Sequence, residues 1–227
     1  MTMQTPTSSS PSSHPHGAGS PATATLGLAD TLKTKTQDLH TAAERHSFQQ
    51  RLLRGGITVE ALAAFQHEML HVQQTLERAL RETANRHVRS LARDWHVRSP
   101  LTRHDILALG GSIGAAPRTD AARKFCADID AAAATDPVAL VGILYVLEGA
   151  TNGNVYVGKA LEKHLGLEPG RATRSLDPHG DQQRPRWLAF RSGLDALGLD
   201  EPQAEAVLAA ARRTFQAVYE ISDAMPA

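Results

Sequence analysis

The sequence predicts an all-α fold, and three observations carry that expectation. Apolar residues recur at spacings of three and four, most clearly at Leu62, Phe65, Met69, Val72, Leu76 and Leu80. Helix-start signals stand ahead of such stripes, at Thr58, at the Asp136-Pro137 pair and at Asp200. Aromatic residues make up only 4% of the chain, and no segment alternates apolar and polar residues as a half-buried strand does.

Taken in order, Leu28, Leu32, Leu39 and Ala43 form a helical stripe ending near His46. Thr58 caps the long helix that carries the Leu62–Leu80 stripe. Thr102 is expected to cap a shorter helix with Ile106, Leu107 and Leu109, ended by Gly110-Gly111. A further helix is expected from Thr119 to Ala134. Asp136-Pro137 then opens a helix with Val138, Leu140, Val141, Ile143, Leu144, Val146 and Leu147, apolar nearly all round. A helix of that kind is buried or faces an apolar ligand. It continues through Glu148-Gly149-Ala150-Thr151-Asn152-Gly153-Asn154 to Leu165. Residues 166–181 read as a Gly/Pro loop, residues 182–198 as a helix, and Asp200 caps a last helix ending near Ala224. The sum is a non-repeating bundle of about eight helices in one domain, residues 26–227. Residues 1–25 contain Ser, Thr, Pro, Gly and two histidines but no charged side chain and no Leu, Ile, Val or Phe. Such a segment has nothing to bury and is expected to be a disordered tail.

Composition narrows the chemistry. Lys+Arg and Asp+Glu are both 24, so the chain lacks the overall field that non-specific nucleic-acid binding needs, and no nucleic-acid partner is expected. A single cysteine, Cys126, excludes an internal disulfide framework, a zinc ribbon and a CxxC redox pair. No run of about 18 apolar residues appears, and the N-terminus has neither the basic start nor the apolar run of a signal peptide. A cytoplasmic protein without a membrane span is the expectation. No Gly-x-Gly-x-x-Gly dinucleotide fingerprint occurs. Histidine is the outlier, at 11 residues, and points to metal, haem or proton chemistry.

Three constellations stand out. His40 and Glu44 are four apart on one helix face, where a carboxylate can hold an imidazole in position for a metal or haem iron; the plainer alternative is an exposed polar pair. His67-Glu68-Met69-Leu70-His71 matches the zinc-hydrolase string His-Glu-x-x-His, with Glu77 and Glu82 further along the same helix as possible carboxylate ligands. The competing reading is an exposed helix edge, because Phe65, Met69, Val72 and Leu76 define the buried stripe. Gly149 and Gly153 interrupt the most apolar helix. Each costs about 1 kcal/mol relative to alanine and is expected to help kink it. Either the backbone there passes close over a flat ligand or it packs tightly on another helix.

These pieces resemble the haem oxygenase family, in particular its bacterial biliverdin-producing branch. Leu32-Lys33, Thr36, Leu39-His40 and Ala43-Glu44 are similar to the family's proximal helix. Leu144-Tyr145-Val146-Leu147-Glu148-Gly149-Ala150 resembles its distal-helix string, continued by Lys159-Ala160-Leu161 and His164-Leu165-Gly166-Leu167. Asp177-Pro178-His179-Gly180, Trp187, Phe190-Arg191 and Leu194 follow with family-like spacing, and Ala211 to Phe215 resembles the start of the last contact helix.

The resemblance implies haem held between a proximal and a kinked distal helix. His40 would be the iron ligand, with Glu44 its neighbouring carboxylate. Lys33 and Arg191 would hold the propionates, and Phe215 would be an aromatic wall. Gly149, Gly153 and Asn152 would form the catalytic distal face. It further implies an oxidoreductase that cleaves haem, its substrate and cofactor, to biliverdin, carbon monoxide and ferrous iron. Molecular oxygen and an external electron donor, a reductase or ferredoxin, are required, and a bilin-accepting photoreceptor is a further candidate partner. The chain departs from the pattern in the distal helix. The family's late Gly-Gly pair is Asn152-Gly153, an aspartate position is Gly149, and a tyrosine is His179. Those departures favour, as the alternative, a non-catalytic haem or bilin carrier on the same fold.

Overall fold

The computed structural model describes residues 26–226. The expected tail, residues 1–25, lies outside the described residues. Ten α-helices follow one another: α1 (Leu28–Lys35), α2 (Gln37–Arg45), α3 (Ser47–Arg54), α4 (Val59–Glu82), α5 (Arg86–Leu91), α6 (Ser99–Ala108), α7 (Asp120–Thr135), α8 (Leu140–Leu165), α9 (Gln183–Asp195) and α10 (Glu201–Asp223). Among the described residues there is no strand.

The count exceeds eight because the N-terminal stripe is divided and two short helices, α3 and α5, stand outside the expected stripes. Thr36 ends α1, its hydroxyl donating back to the Leu32 carbonyl at 2.8 Å, and α2 starts at the next residue. His46 ends α2 and caps α3, its Nδ1 accepting the Phe48 N–H at 3.1 Å. Thr58, Thr119 and Asp200 cap α4, α7 and α10 as their types dictate. Asp200 forms a full capping box with Gln203. Thr102 does not cap α6. That helix begins at Ser99 with Pro100 in its first turn, and the carboxylate of Glu77, on α4, receives the N–H groups of Arg98 (2.7 Å) and Ser99 (2.8 Å). A cap supplied from another helix leaves no local signal in the sequence. Nor does Asp136 cap with its side chain; Pro137–Ala139 form a 3-10 turn that leads into α8. The helix expected over 182–198 is shorter, with a 3-10 turn before it and its last residue at Asp195.

α8 is the axis of the fold. Every residue from Leu140 to Glu148 is buried, as an all-round apolar pattern requires. Its length and composition would suffice to cross a membrane, but most of its apolar stretch is buried inside the protein. α10 makes the most extensive helix–helix contact on it. The closest approach is at Gly142, where any side chain would overlap the Val207 carbonyl and stand 2.9 Å from the Ala211 nitrogen. The main core gathers Leu140–Leu147 with α4, α5, α7, α9 and α10. A second core (Phe48, Leu52, Ile57, Ala61, Leu62 and Leu161) joins α3, the start of α4 and the end of α8.

The helix ends in a left-handed residue, Gly166 at φ 64°, and the Leu167 N–H returns to the Glu162 carbonyl. The loop beyond it is pinned by carboxylates. Glu162 receives the Gly170 N–H and the Thr173 hydroxyl, Asp105 receives the Ser175 N–H at 2.7 Å, and Glu148 pairs with His179.

Candidate functional site

α10 positions the site. α8 and α10 run parallel: they touch at Gly142 and Val207–Ala211, and the second core gathers both Leu161, near the end of α8, and Met225, just past the end of α10. At 1.5 Å per residue, Phe215 on α10 and Gly149 on α8 both stand about 10 Å beyond the first crossing. α2 lies along α10 at that level. Arg212 grips its N-terminal end, donating to the Lys35 carbonyl and to both carboxylate oxygens of Asp38 at 3.1 Å. That hydrogen bond is also the main reason the Asp38 carboxyl is held below its usual range. His40 then lies edge-on to Phe215, ring centroids 5.8 Å apart. α2 buries none of its residues, and the His40 side chain is 49% exposed. Its Nδ1 stands 3.6 Å from Glu44 Oε2, so the expected pair forms. An accessible imidazole and a glycine-containing helix thus stand at one height, both on helices that pack against α10.

The two distal glycines differ. The space in front of Gly153 is open, with nothing within 4 Å of where a Cβ would lie, whereas a Cβ on Gly149 would meet the Trp187 ring at 3.3 Å. Close helix packing therefore describes Gly149, and open space describes Gly153. The helix runs unbroken through both. Asn152 does not project freely. Its Nδ2 donates to the Gly149 carbonyl at 3.0 Å, and its Oδ1 accepts from Gln183 Nε2 at 3.0 Å. The same Gln183 nitrogen reaches the Thr151 hydroxyl at 2.8 Å.

The two basic positions come together at the α1–α9 contact. Arg191 Nη2 donates to Asp30 on α1, one turn before the exposed Lys33. Arg191 is thus already engaged, and only its remaining N–H groups are free to meet a second anion.

Beneath the distal helix lies a polar cluster that periodicity could not reveal. Glu148 and His179 are fully enclosed and joined at 2.7 Å. Arg186 donates to His179 Nδ1 at 2.9 Å, so His179 carries its proton on Nε2 and donates it to Glu148. Burial pushes the Glu148 carboxyl up, but the His179 hydrogen bond and the buried Arg98 charge outweigh it and leave the group below its usual range. Arg98 also donates to the Leu147 carbonyl at 3.0 Å. The only sequence signal for this cluster was His179 standing where a tyrosine is common.

The His67–His71 string is neither an exposed edge nor a metal site. His67 and Glu68 are each 1% exposed. His67 Nε2 accepts the Gly114 N–H at 3.0 Å, and its Nδ1 then donates to Glu68 at 3.0 Å, so both ring nitrogens are occupied. Glu68 also receives the Arg118 and Thr119 N–H groups and the Thr119 hydroxyl. Burial raises its carboxyl, and these donors more than reverse that. Glu77 is consumed in capping α6, and Glu82 is exposed. The string fastens the α6–α7 connection onto α4. Among the described residues no group of three or more potential metal ligands is assembled.

Comparison with known proteins gives the family and the fold. The family model "Heme oxygenase" matches residues 26–224. Among solved structures, a heme oxygenase from Leptospira interrogans is 21% identical, covering 87% of this chain and 98% of its own, with a TM-score of 0.81. Heme oxygenase-2 from Synechocystis, in complex with heme and NO, is 22% identical over 87% of this chain and 84% of its own, TM-score 0.81. A TenA homologue from Pyrococcus furiosus shares the fold at 11% identity over 86% of this chain and 98% of its own, TM-score 0.61. No curated protein matches the sequence. The match over residues 26–224, on a chain whose helices follow the same fold, leads to one conclusion: the chain belongs to the haem oxygenase family.

Proposed function

We propose that this chain is a haem oxygenase, cleaving haem to biliverdin, carbon monoxide and ferrous iron with molecular oxygen and electrons from an external donor. The observation that carries the reading is the placement of accessible His40 and open-faced Gly153 on two helices that pack on α10. The residues present fit the group. A histidine with an accessible ring can ligate iron, Phe215 offers an apolar wall, and the open space in front of Gly153 leaves room for a flat ring. Bound haem supplies the redox-active iron and the ring that is opened.

The protein's own groups supply orientation. Glu44, 3.6 Å from the His40 Nδ1, is within reach to hydrogen-bond that nitrogen when the ring is engaged, which would leave Nε2 to be presented. Lys33 and the unused donors of Arg191 attract the propionates, Lys as a point charge and Arg as a planar fork. The hydrogen-bonded set Thr151, Asn152 and Gln183 places polar atoms beside the glycine segment. Such a set can order solvent for proton delivery. Electrons come from a reductase or ferredoxin, and the product is suited to a bilin-accepting partner.

Titrating purified protein with haemin and then adding a reductant tests the reading. A Soret band followed by a bilin spectrum is expected. A stable band without turnover under a competent donor would make the chain a haem or bilin carrier, and no band at all would remove haem from the account.

A further inference from the structure

No sequence motif marks Asp30, yet it holds the arginine that the haem reading gives to a propionate. Arg191 Nη2 donates to Asp30 Oδ1 at 2.5 Å, with the two side chains 32% and 51% exposed. Lys33 is three residues further on, so it shares that side of α1, and it is exposed. The ion pair stands beside α8. Burial pushes the Tyr145 phenol up, Arg191 pulls it down and Asp30 pushes it up, so both charges lie within electrostatic reach of that hydroxyl. Tyr145 shares a helix face with Gly149, one turn on, and with Gly153, two turns on. Its ring lies 6.0 Å from that of Trp187, the side chain that covers Gly149. The pair is therefore next to the face of α8 that carries the glycines. α1 does not depend on the pair for its place. The Ala29 N–H donates to Asp195 of α9 at 2.9 Å, and Leu32 is buried in the main core.

We propose that Asp30 is a positioning residue that competes with the haem propionates for Arg191: it holds the guanidinium in the haem-free protein, yields it to a propionate on binding, and retakes it as the product leaves. The inference rests on the haem oxygenase reading and names the residue that limits how tightly substrate and product are held. A guanidinium presents its N–H donors in one fixed plane, so a second carboxylate is met only beside Asp30 or in its place. Beside it, two like charges share one cation and repel. In its place, the existing pair must first be broken. Either route subtracts from the attraction that Lys33 and Arg191 together exert on a propionate. The half-exposed pair contributes little net energy, so a propionate can displace it. Ring opening leaves both propionates intact, so the same competition acts on the product and favours its release.

The test uses the full chain with haemin as the probe. Asp30→Asn keeps the shape and removes the charge. Asp30→Ser, made alongside it, removes the same charge with a different shape, so loss of fold in one variant leaves the other to decide. Thermal melting of the haem-free proteins shows which are folded. Haemin is expected to bind the variants more tightly than wild type by about threefold or more at low salt. The gain should shrink toward unity at about 0.5 M salt, where charges at a half-exposed edge are screened. Haemin with both propionates methylated is expected to bind variant and wild type equally. With reductant and excess haemin, the first turnover should keep its wild-type rate and the later ones should slow, because the product is held longer.

A smaller gain in haemin affinity would overturn the proposal and make the Asp30–Arg191 pair a plain surface contact. A fall in affinity would also overturn it, and would make Asp30 a prop that presents Arg191. So would an equal gain with methylated haemin or a gain that persists at high salt, since neither then acts through the propionates. Later turnovers at the wild-type rate would overturn the role in product release. Failure of the wild type to bind haemin would instead overturn the parent reading, and the titration shows that separately.

Discussion

The histidines divide by burial, and the division separates scaffold from chemistry. Six are buried: His46, His67, His71, His87, His96 and His179. Five of these accept a hydrogen bond from a backbone N–H or an arginine: His46 caps α3, His67 holds Gly114 and Glu68, His87 accepts from Arg86, His96 accepts the Arg93 N–H, and His179 links Arg186 to Glu148. The histidine excess is thus largely architectural. His40 is different, being exposed and in no such role. His40→Ala should therefore change the stability of the haem-free protein by no more than about 0.5 kcal/mol. It should abolish or greatly weaken the haem spectrum, as haemin titration with and without added imidazole will show. His67→Ala should do the reverse. It strips a partner from buried Glu68 and from Gly114, costs about 1–3 kcal/mol in urea unfolding, and leaves haemin affinity nearly unchanged.

At the scale of elements, the glycines of α8 offer the sharpest contrast. Gly142 is required by packing, since the Val207 carbonyl occupies the space a side chain needs. Gly142→Ala should destabilise by about 3 kcal/mol or more, because α8 and α10 must separate. Gly153 has open space in front of it, so nothing in the protein alone demands a glycine there. Gly153→Ala should stabilise the haem-free protein by about 0.5–1 kcal/mol through helix propensity. Gly153→Leu should still bind haemin, held by His40 and the basic pair, but lose bilin formation as the larger side chain fills the cradle. Calorimetry of the three haem-free variants, with bilin spectra for the last, checks the series. Wild-type turnover by Gly153→Leu would mean that this face of α8 is not the distal wall.

At the scale of the molecule, stability should fall on acidification in two stages. His96 is buried with Nδ1 accepting a backbone N–H, and burial depresses its pKa to about 4. Between pH 6.5 and 4 the unfolded chain binds the proton and the folded one does not, so stability declines as pH drops through that window. The loss from this residue alone is at most about 3 kcal/mol. Glu68 and Glu148 are also held below their usual values, so the stability they contribute is present above about pH 4.5 and is lost as pH falls further. Urea midpoints measured from pH 7 to pH 4 should slope downward. His96→Gln, whose amide can still accept the Arg93 N–H, should flatten the first stage and leave the second. An unchanged slope would show that His96 is not the group responsible.

What the sequence determined by itself follows from local chemistry. Leu62, Val72 and Leu76 recur at the helical period and came out buried on α4; Thr58, Thr119 and Asp200 cap because a short polar side chain meets N–H groups two or three residues on. The apolar run from Val138 to Leu147 had to be buried, and His40 and Glu44 had to share a face, because the 3.6-residue repeat leaves no alternative. What only the tertiary structure decided is every relation between distant residues. Glu77 capping α6, Glu68 gathering the α6–α7 connection, Gln183 reaching Asn152 and His179 reaching Glu148 each join residues 20 or more positions apart, and no periodicity encodes such a partner. The same limit applied to the two glycines of the distal helix. They are alike in sequence context, and only the packing of Trp187 against one and open space before the other made Gly149 a contact and left Gly153 uncovered.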